Sequence, residues 1–301
     1  MAERVFVTGG SGLIGGALVE RLAAGGAEVV ALARSDAAAT ALGARGARVV
    51  RGDLLDEAAL ADGMRGSAVV YHVAGVNTLC PTDPGPMYRV NRDGARLAVR
   101  VAAAAGVDRF VHTSSAATLG ERQGTIGDEE TAHRGWFLSH YERSKSEGER
   151  AVLEEAARTG LDVVCVNPSS VQGPGRAGGT GRILLALLDG RLPVFVDTRI
   201  SLTDVADAVD GHLLAAGRGA PGRRYVLCGA TLTSAEAFAA LSHVAEREIR
   251  PRIVPAAIAS AAAAAAEASA AGTIRGRTSR PVTRESSSNA SSEVNVAPQS
   301  T

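Results

Sequence analysis

Residues 5–16 read VFVTGGSGLIGG, one short apolar run followed by five glycines between positions 9 and 16. Two spacings overlap there. Gly10, Gly12 and Gly15 fit G-x-G-x-x-G, whereas Gly9, Gly12 and Gly15 fit G-x-x-G-x-x-G. The run RVFVT (4–8) is β-branched and apolar, as expected of a strand buried on both faces. LIGGALVERLAAGG (13–26) follows, with Leu13, Ala17, Val19 and Leu22 near helical spacing and glycines at its end. A strand, a glycine turn and a helix N-terminus make an anion site, because free backbone N–H groups and the helix dipole face the ligand. Glycine also lets the backbone approach a pyrophosphate and lets the helix pack closely on the strand.

Outward from this unit the pattern repeats. EVVALA (28–33), ARVVRG (47–52), SAVVYHV (67–73), DRFVHTS (108–114) and LDVVCVN (161–167) read as strands, with helical stretches at 87–105 and 139–159. Such alternation predicts an α/β fold, a Rossmann-like doubly wound parallel sheet. After residue 167 the pattern changes. NPSSVQGPGRAGGTG (167–181) reads as a loop, RILLALLDG as a helix, and SLTDVADAVDGHLLAAG (201–217) as a helix capped by Asp204. RRYVLCG (223–229) reads as a strand and TSAEAFAALSHVAE (233–246) as a helix. The expected organisation is a dinucleotide-binding domain over 1–167, to which about 192–229 returns, and a small C-terminal substrate lobe over most of 168–255. An Ala-rich helix (256–277) and a disordered Ser/Asn-rich tail (278–301) complete it.

Composition narrows the functional classes. The chain has 301 residues, 46% of them hydrophobic, and its 32 basic residues balance 32 acidic ones. No basic excess exists for nucleic acid or an anionic membrane surface, and no apolar run reaches membrane-spanning length. Cys80, Cys165 and Cys228 form neither a metal spacing nor a disulfide framework. Each reads as a small buried apolar residue in a cytoplasmic protein. The N-terminus enters a strand without a signal-peptide layout.

Cofactor type is read at the end of the second strand, where an acid selects NAD and an arginine accommodates the 2′-phosphate of NADP. Here Ala33 fills the acidic slot and Arg34 follows it, which favours NADP over NAD. Asp53, in RGDLLD, is placed for the adenine edge, and Asp56 for capping the helix that starts at Glu57. Downstream, SHYERSKSEGER (139–150) puts Tyr141 and Lys145 on one helical face, with Ser139 and Glu142 as a capping box. A phenol titrates near 10, and a nearby ammonium is expected to lower that value. HTSSAATLG supplies Ser114 and Ser115 to orient a carbonyl. His72, His112, His133 and His140 have no second metal-ligand type spaced with them and read as structural or substrate-edge residues.

Taken together, TGGSGLIG, GDLLD, HVAG, TSSAATLG, YERSK and NPSSVQGPG resemble the extended short-chain dehydrogenase/reductase family, of the NAD-dependent epimerase/dehydratase type. The resemblance runs from residue 3 to about 246. It is nearest to the dihydroflavonol-reductase-like branch, which includes hopanoid-associated sugar epimerase-like proteins. It selects Gly9, Gly12 and Gly15 as the working glycines. It implies Tyr141 as acid–base, Lys145 as the residue that lowers its pKa and binds ribose, and Ser115 as the carbonyl-orienting hydroxyl. The cofactor-binding set it implies is Gly9, Gly12, Leu13, Ile14, Gly15, Arg34, Asp53, Leu54, Val73, Ala74, Gly75, Tyr141, Lys145, Pro168, Ser169 and Ser170, with no metal. Asn91, in YRVNRDG, matches a recurrent family asparagine or is a helix-packing residue. Family members dimerise through helices matching 87–105 and 139–159, whose Ala- and Val-rich faces suggest a homodimer here. Three functions stay open. They are an NADPH-dependent reductase of a ketone or aldehyde, a nucleotide-sugar epimerase that retains its cofactor, and a non-catalytic NADP-binding sensor. The small-molecule substrate is set by loops 78–88, 121–138 and 172–182.

Overall fold

A computed structural model describes residues 3–78, 81–122, 124–175, 178–255 and 258. Contacts group the chain into Met1–Ile253 and Val254–Thr301, and the architecture below is that of Met1–Ile253. In chain order the strands are β1 (Arg4–Thr8), β2 (Glu28–Ala33), β3 (Arg48–Arg51), β4 (Val69–His72), β5 (Arg109–Thr113), β6 (Asp162–Pro168), β7 (Ser170–Gln172), β8 (Val194–Val196), β9 (Arg199–Asp204), β10 (Arg224–Leu227) and β11 (Ala230–Thr233). The helices are α1 (Leu13–Ala24), α2 (Asp36–Ala44), α3 (Glu57–Met64), α4 (Gly85–Tyr88), α5 (Ala95–Ala104), α6 (His140–Thr159), α7 (Thr180–Leu188), α8 (Val205–Arg218) and α9 (Ser234–Val244).

Seven strands form one parallel sheet in the order β10-β6-β5-β4-β1-β2-β3. Its inner strands are short apolar runs because both faces are covered. Phe6, Val70, Phe110 and Val163 point to the face packed by α3, α5 and α6. Val5, Val7, Val29, Val111 and Val164 point to the face packed by α1, α2 and α8. The order reverses between β1 and β4, and open sheets of this kind bind ligands at that crevice.

Beyond β6 the chain departs from the sequence expectation. Ser170–Gln172, expected in a loop, is a short strand, and Ser201–Asp204, expected in a helix, is extended within β9. Both are held by partners on a second sheet in which β9 pairs with β11 antiparallel and with β7 parallel. The helix starts at Val205, and Asp204 caps it by accepting from the Ala206 N–H at 2.7 Å.

Two further expectations are corrected. The helix expected over 87–105 is continuous from Gly85 but opens into a π turn at Arg89–Gly94. The Ala- and Val-rich faces of α5 and α6 are spent inside the chain, where Ala98, Val99, Val101, Ala151 and Val152 are buried. The outward faces carry ion pairs, Arg92 with Glu147, Arg96 with Glu154 and Arg150 with Glu154. Cys165 is buried as expected, whereas Cys228 is exposed. Cys80, the Ala-rich stretch over 256–277 apart from Ile258, and the tail over 278–301 lie outside the described residues. No helix among the described residues is long and apolar enough to cross a membrane.

Candidate active site

The glycine turn sits at the crevice. Gly9 adopts φ +73°, and a Cβ there would lie 2.5 Å from the Ala74 backbone nitrogen. Only glycine lets the β1 turn close on the Val73–Ala74–Gly75 turn after β4. Gly12 donates its N–H to the Gly9 carbonyl at 3.0 Å and caps α1 without a side chain, so Leu13 and Ile14 open a first turn whose N–H groups have no side-chain cap. Gly15 packs on the Gly9 backbone, while Gly10 faces the flexible side chain of Leu42. The Gly9–Gly12–Gly15 spacing is therefore the one the backbone requires. A dinucleotide pyrophosphate fits this uncapped cradle.

At the adenosine end Ala33 is buried, whereas the Arg34 side chain is 82% exposed and only 3.8 Å from the Asp53 carboxylate. Asp53 accepts from the Leu55 N–H at 3.0 Å, and Asp56 caps α3 by accepting from the Ala59 N–H at 3.1 Å. The Leu54 side chain turns into the core beside Gly94. Arg34 thus projects past a small buried residue with its guanidinium in solvent.

The reacting end is built from β5 and α6. Ser115 follows β5 and caps a short 3-10 turn, its Oγ accepting from the Ala117 N–H at 3.2 Å. Tyr141 enters in the first turn of α6, whose cap Ser139 accepts from the Glu142 N–H at 3.1 Å. The reciprocal half of the expected capping box is absent. The Glu142 carboxylate accepts from the Leu138 N–H at 2.6 Å and pairs with Arg134 instead. Lys145 is 5% exposed, and its Nζ donates to the Thr113 carbonyl at 2.7 Å.

Charges here follow burial. Burial pulls the Lys145 ammonium down to about 8, opposed by the Glu149 charge. Burial pushes the Tyr141 phenol above its ordinary value, opposed by a hydrogen bond with Ser115. The sequence expectation of a phenol lowered by Lys145 is therefore reversed, since the ammonium is engaged by Thr113 and the phenol is desolvated.

Supporting residues surround the pair. Asn91 clamps Val76 from both sides, donating to its carbonyl at 2.9 Å and accepting its N–H at 2.7 Å, and also donates to Ser144 at 2.9 Å. Its backbone carbonyl lies where a Cβ on Gly148 would be 2.1 Å away, so the π turn is seated against α6. Pro168 ends β6. Ser169 bonds the Thr203 hydroxyl at 2.6 Å, and Ser170 accepts from Gln172 at 2.8 Å.

His72 and His112 stack at 5.5 Å in the sheet interior, where burial pulls His72 down to about 3 and His112 well below its ordinary value. His140 is exposed and bonds Tyr88 at 3.1 Å, and His133 packs on Phe137. Sequence reasoning passed over His212, which is buried on α8, donates from Nδ1 to the Ala208 carbonyl at 2.6 Å and receives the Thr113 hydroxyl on Nε2 at 2.8 Å. It also passed over a plain signal at Lys145, the one lysine among 32 lysines and arginines.

Comparisons with known proteins agree with this architecture. The NAD dependent epimerase/dehydratase family model matches residues 5–228. A Synechocystis sp. protein named for dihydroflavonol 4-reductase is 35% identical over 239 residues, 75% of this chain and 68% of that protein. Sterol demethylase protein B of Methylococcus capsulatus is 32% identical over 232 residues, 74% of this chain and 69% of that protein. The crystal structure of gox2253 superposes with a TM-score of 0.82 at 29% identity, covering 90% of this chain and 83% of that one. The chain therefore belongs to the NAD-dependent epimerase/dehydratase family and is an NAD(P)-dependent enzyme of the extended short-chain dehydrogenase/reductase type.

Proposed function

We propose that this enzyme reduces a ketone or aldehyde with NADPH. The observation that carries the proposal is the meeting of Ser115 and Tyr141 at the C-terminal end of β5, with buried Lys145 one turn further along α6. The nicotinamide, when bound, supplies hydride, and the proton is left to the protein. Ser115 holds the substrate oxygen by its hydroxyl. Tyr141 delivers the proton, and its burial-raised pKa keeps the phenol protonated at neutral pH. Lys145 holds the ribose and offers its charge as the phenol loses its proton.

Gly9, Gly12, Leu13, Ile14 and Gly15 would hold the pyrophosphate, and the turns at 73–75 and 168–170 the two ends of the cofactor. Arg34, exposed beside a buried alanine and held only by a long contact to Asp53, favours a 2′-phosphate. The reductase name of the Synechocystis relative points the same way. The experiment is Tyr141→Phe, assayed by NADPH oxidation over a panel of ketones and aldehydes. Turnover should fall on the order of 100-fold with cofactor affinity retained. Near-normal turnover would remove Tyr141 from the chemistry.

A further inference from the structure

Beneath Ser115 and Tyr141 lies a buried carboxylate to which the proposed reaction gives no part. Glu149 follows Lys145 by one helical turn on α6 and is 3% exposed. Its Oε2 accepts from the Ser114 hydroxyl and from the Asn167 amide at 2.7 Å, with the Thr118 hydroxyl oxygen 3.1 Å away. Its Oε1 meets the Arg224 guanidinium of edge strand β10 at 3.2 Å. Thr118 and Asn167 in turn donate to the Ser115 carbonyl at 2.8 and 3.3 Å. One carboxylate thus ties the ends of β5 and β6, and β10, to the helix that carries Tyr141 and Lys145.

A buried charge with this many partners is costly to desolvate, and a packed apolar side chain would fill the same space more cheaply. Of the other buried charges on α6, Glu142 is paired with Arg134, whereas Lys145 is in no ion pair among the described residues. The titratable groups that face it are His72 on β4, His112 on β5, Cys165 on β6 and, one turn along α6, Glu149, which is the carboxylate among them. Both histidines are held neutral by burial. Arg224, from β10, faces Glu149.

We propose that Glu149 is a positioning residue, the counter-charge of Lys145 and the anchor that fixes the Ser115 turn. Its consequence for turnover rests on the reductase reaction proposed above, whereas its effect on Lys145 does not.

The single lysine makes this directly measurable. Isotope-labelled lysine in the full-length protein gives one side-chain resonance, whose titration midpoint belongs to Lys145. Glu149→Gln should lower that midpoint by about one pH unit or more, and Glu149→Asp should restore most of it. Arg224→Met should raise the midpoint, because the Glu149 field is then unshared. The basic limb of turnover against pH should move down with the midpoint in Glu149→Gln. An unchanged midpoint in folded Glu149→Gln overturns the proposal. Should that variant fail to fold, the half-exposed Arg224 decides, and a midpoint in Arg224→Met that is unchanged or lowered overturns it equally. Because the titration needs no substrate, an inactive Tyr141 assignment would leave this result standing.

Discussion

A methyl group on Gly15 would lie 2.3 Å from the carbonyl oxygen of Gly9. Backbone cannot give way there, so the first turn of α1 rests on the β1 turn as only glycine permits. Gly10 differs, since a methyl group on it would meet Leu42 Cδ2 at 2.8 Å, the far end of a side chain that can rotate away. Gly15→Ala should lower stability by about 1–3 kcal/mol and weaken NADPH binding. Gly10→Ala should leave both near wild type. Thermal melts and calorimetric titration read the two effects, and equal losses would erase the distinction between the two glycine spacings.

Arg34 stands in solvent with only a long contact to Asp53 at 3.8 Å. A charged hydrogen bond to a 2′-phosphate contributes about 1.5–3 kcal/mol, so Arg34→Ala should narrow the NADPH/NADH affinity ratio roughly ten-fold or more. NADH affinity itself should hardly move. A ratio left intact after the substitution would refute the assignment.

Lys145 is a cation buried at the foot of α6. Its Nζ reaches the Thr113 carbonyl at 2.7 Å from a buried position, and every other basic residue of the chain is an arginine. A planar guanidinium is larger and holds its charge at all working pH values. Lys145→Arg should therefore lose turnover on the order of 100-fold and weaken NADPH binding. An active Lys145→Arg enzyme would show that any cation serves.

The buried histidines predict acid sensitivity. His72 is pulled down to about 3 and His112 well below its ordinary value, so both are neutral in the folded protein at neutral pH. Unfolded, each titrates near 6.5. Above that pH both states are neutral and no stability is at stake. As pH falls below about 6.5, the unfolded chain takes up protons that the fold refuses, at roughly 1.4 kcal/mol per pH unit for His72 down to about 3, with His112 adding to the loss in the same direction. Denaturation midpoints at pH 7.5 and 5 should therefore fall steeply in wild type and less in His112→Leu. Flat midpoints in wild type would mean that both histidines find protons within the fold.

What could be read from the sequence divides along burial. β1 to β6 emerge within a residue or two of their ends because strands covered on both faces leave continuous apolar runs. β7, β9 and β11 leave none. They are three to six residues long and half-exposed, and their order comes from pairing across distant sequence. The π turn is silent for another reason, since every residue of RVNRDG except Gly94 is an unremarkable helix residue and the deviation is set by the fit of Asn91 against Gly148. Tyr141, Lys145 and Ser115 announce themselves by spacing within familiar motifs. Glu149 does not, because a charge on a helix reads as solvated until Ser114, just past β5, Asn167 of β6 and Arg224 of β10 are brought to it.

The threading of the second sheet bears on how the chain reaches its native state. β7 leaves the end of β6 after a single residue, β9 runs directly into α8, and β11 starts two residues after β10. Each small strand is thus a continuation of an element that builds the large sheet, and β10 cannot close the edge beside β6 until the intervening segment has been laid down. The glycine-turn half pairs its strands β1 to β3 within the first fifty-one positions, and α3, which covers its Phe6 face, is complete by residue 64. It can assemble early, whereas the edge must wait for sequence delivered more than fifty residues after β6. Excising the small sheet would therefore leave an unfinished edge rather than a minimal enzyme.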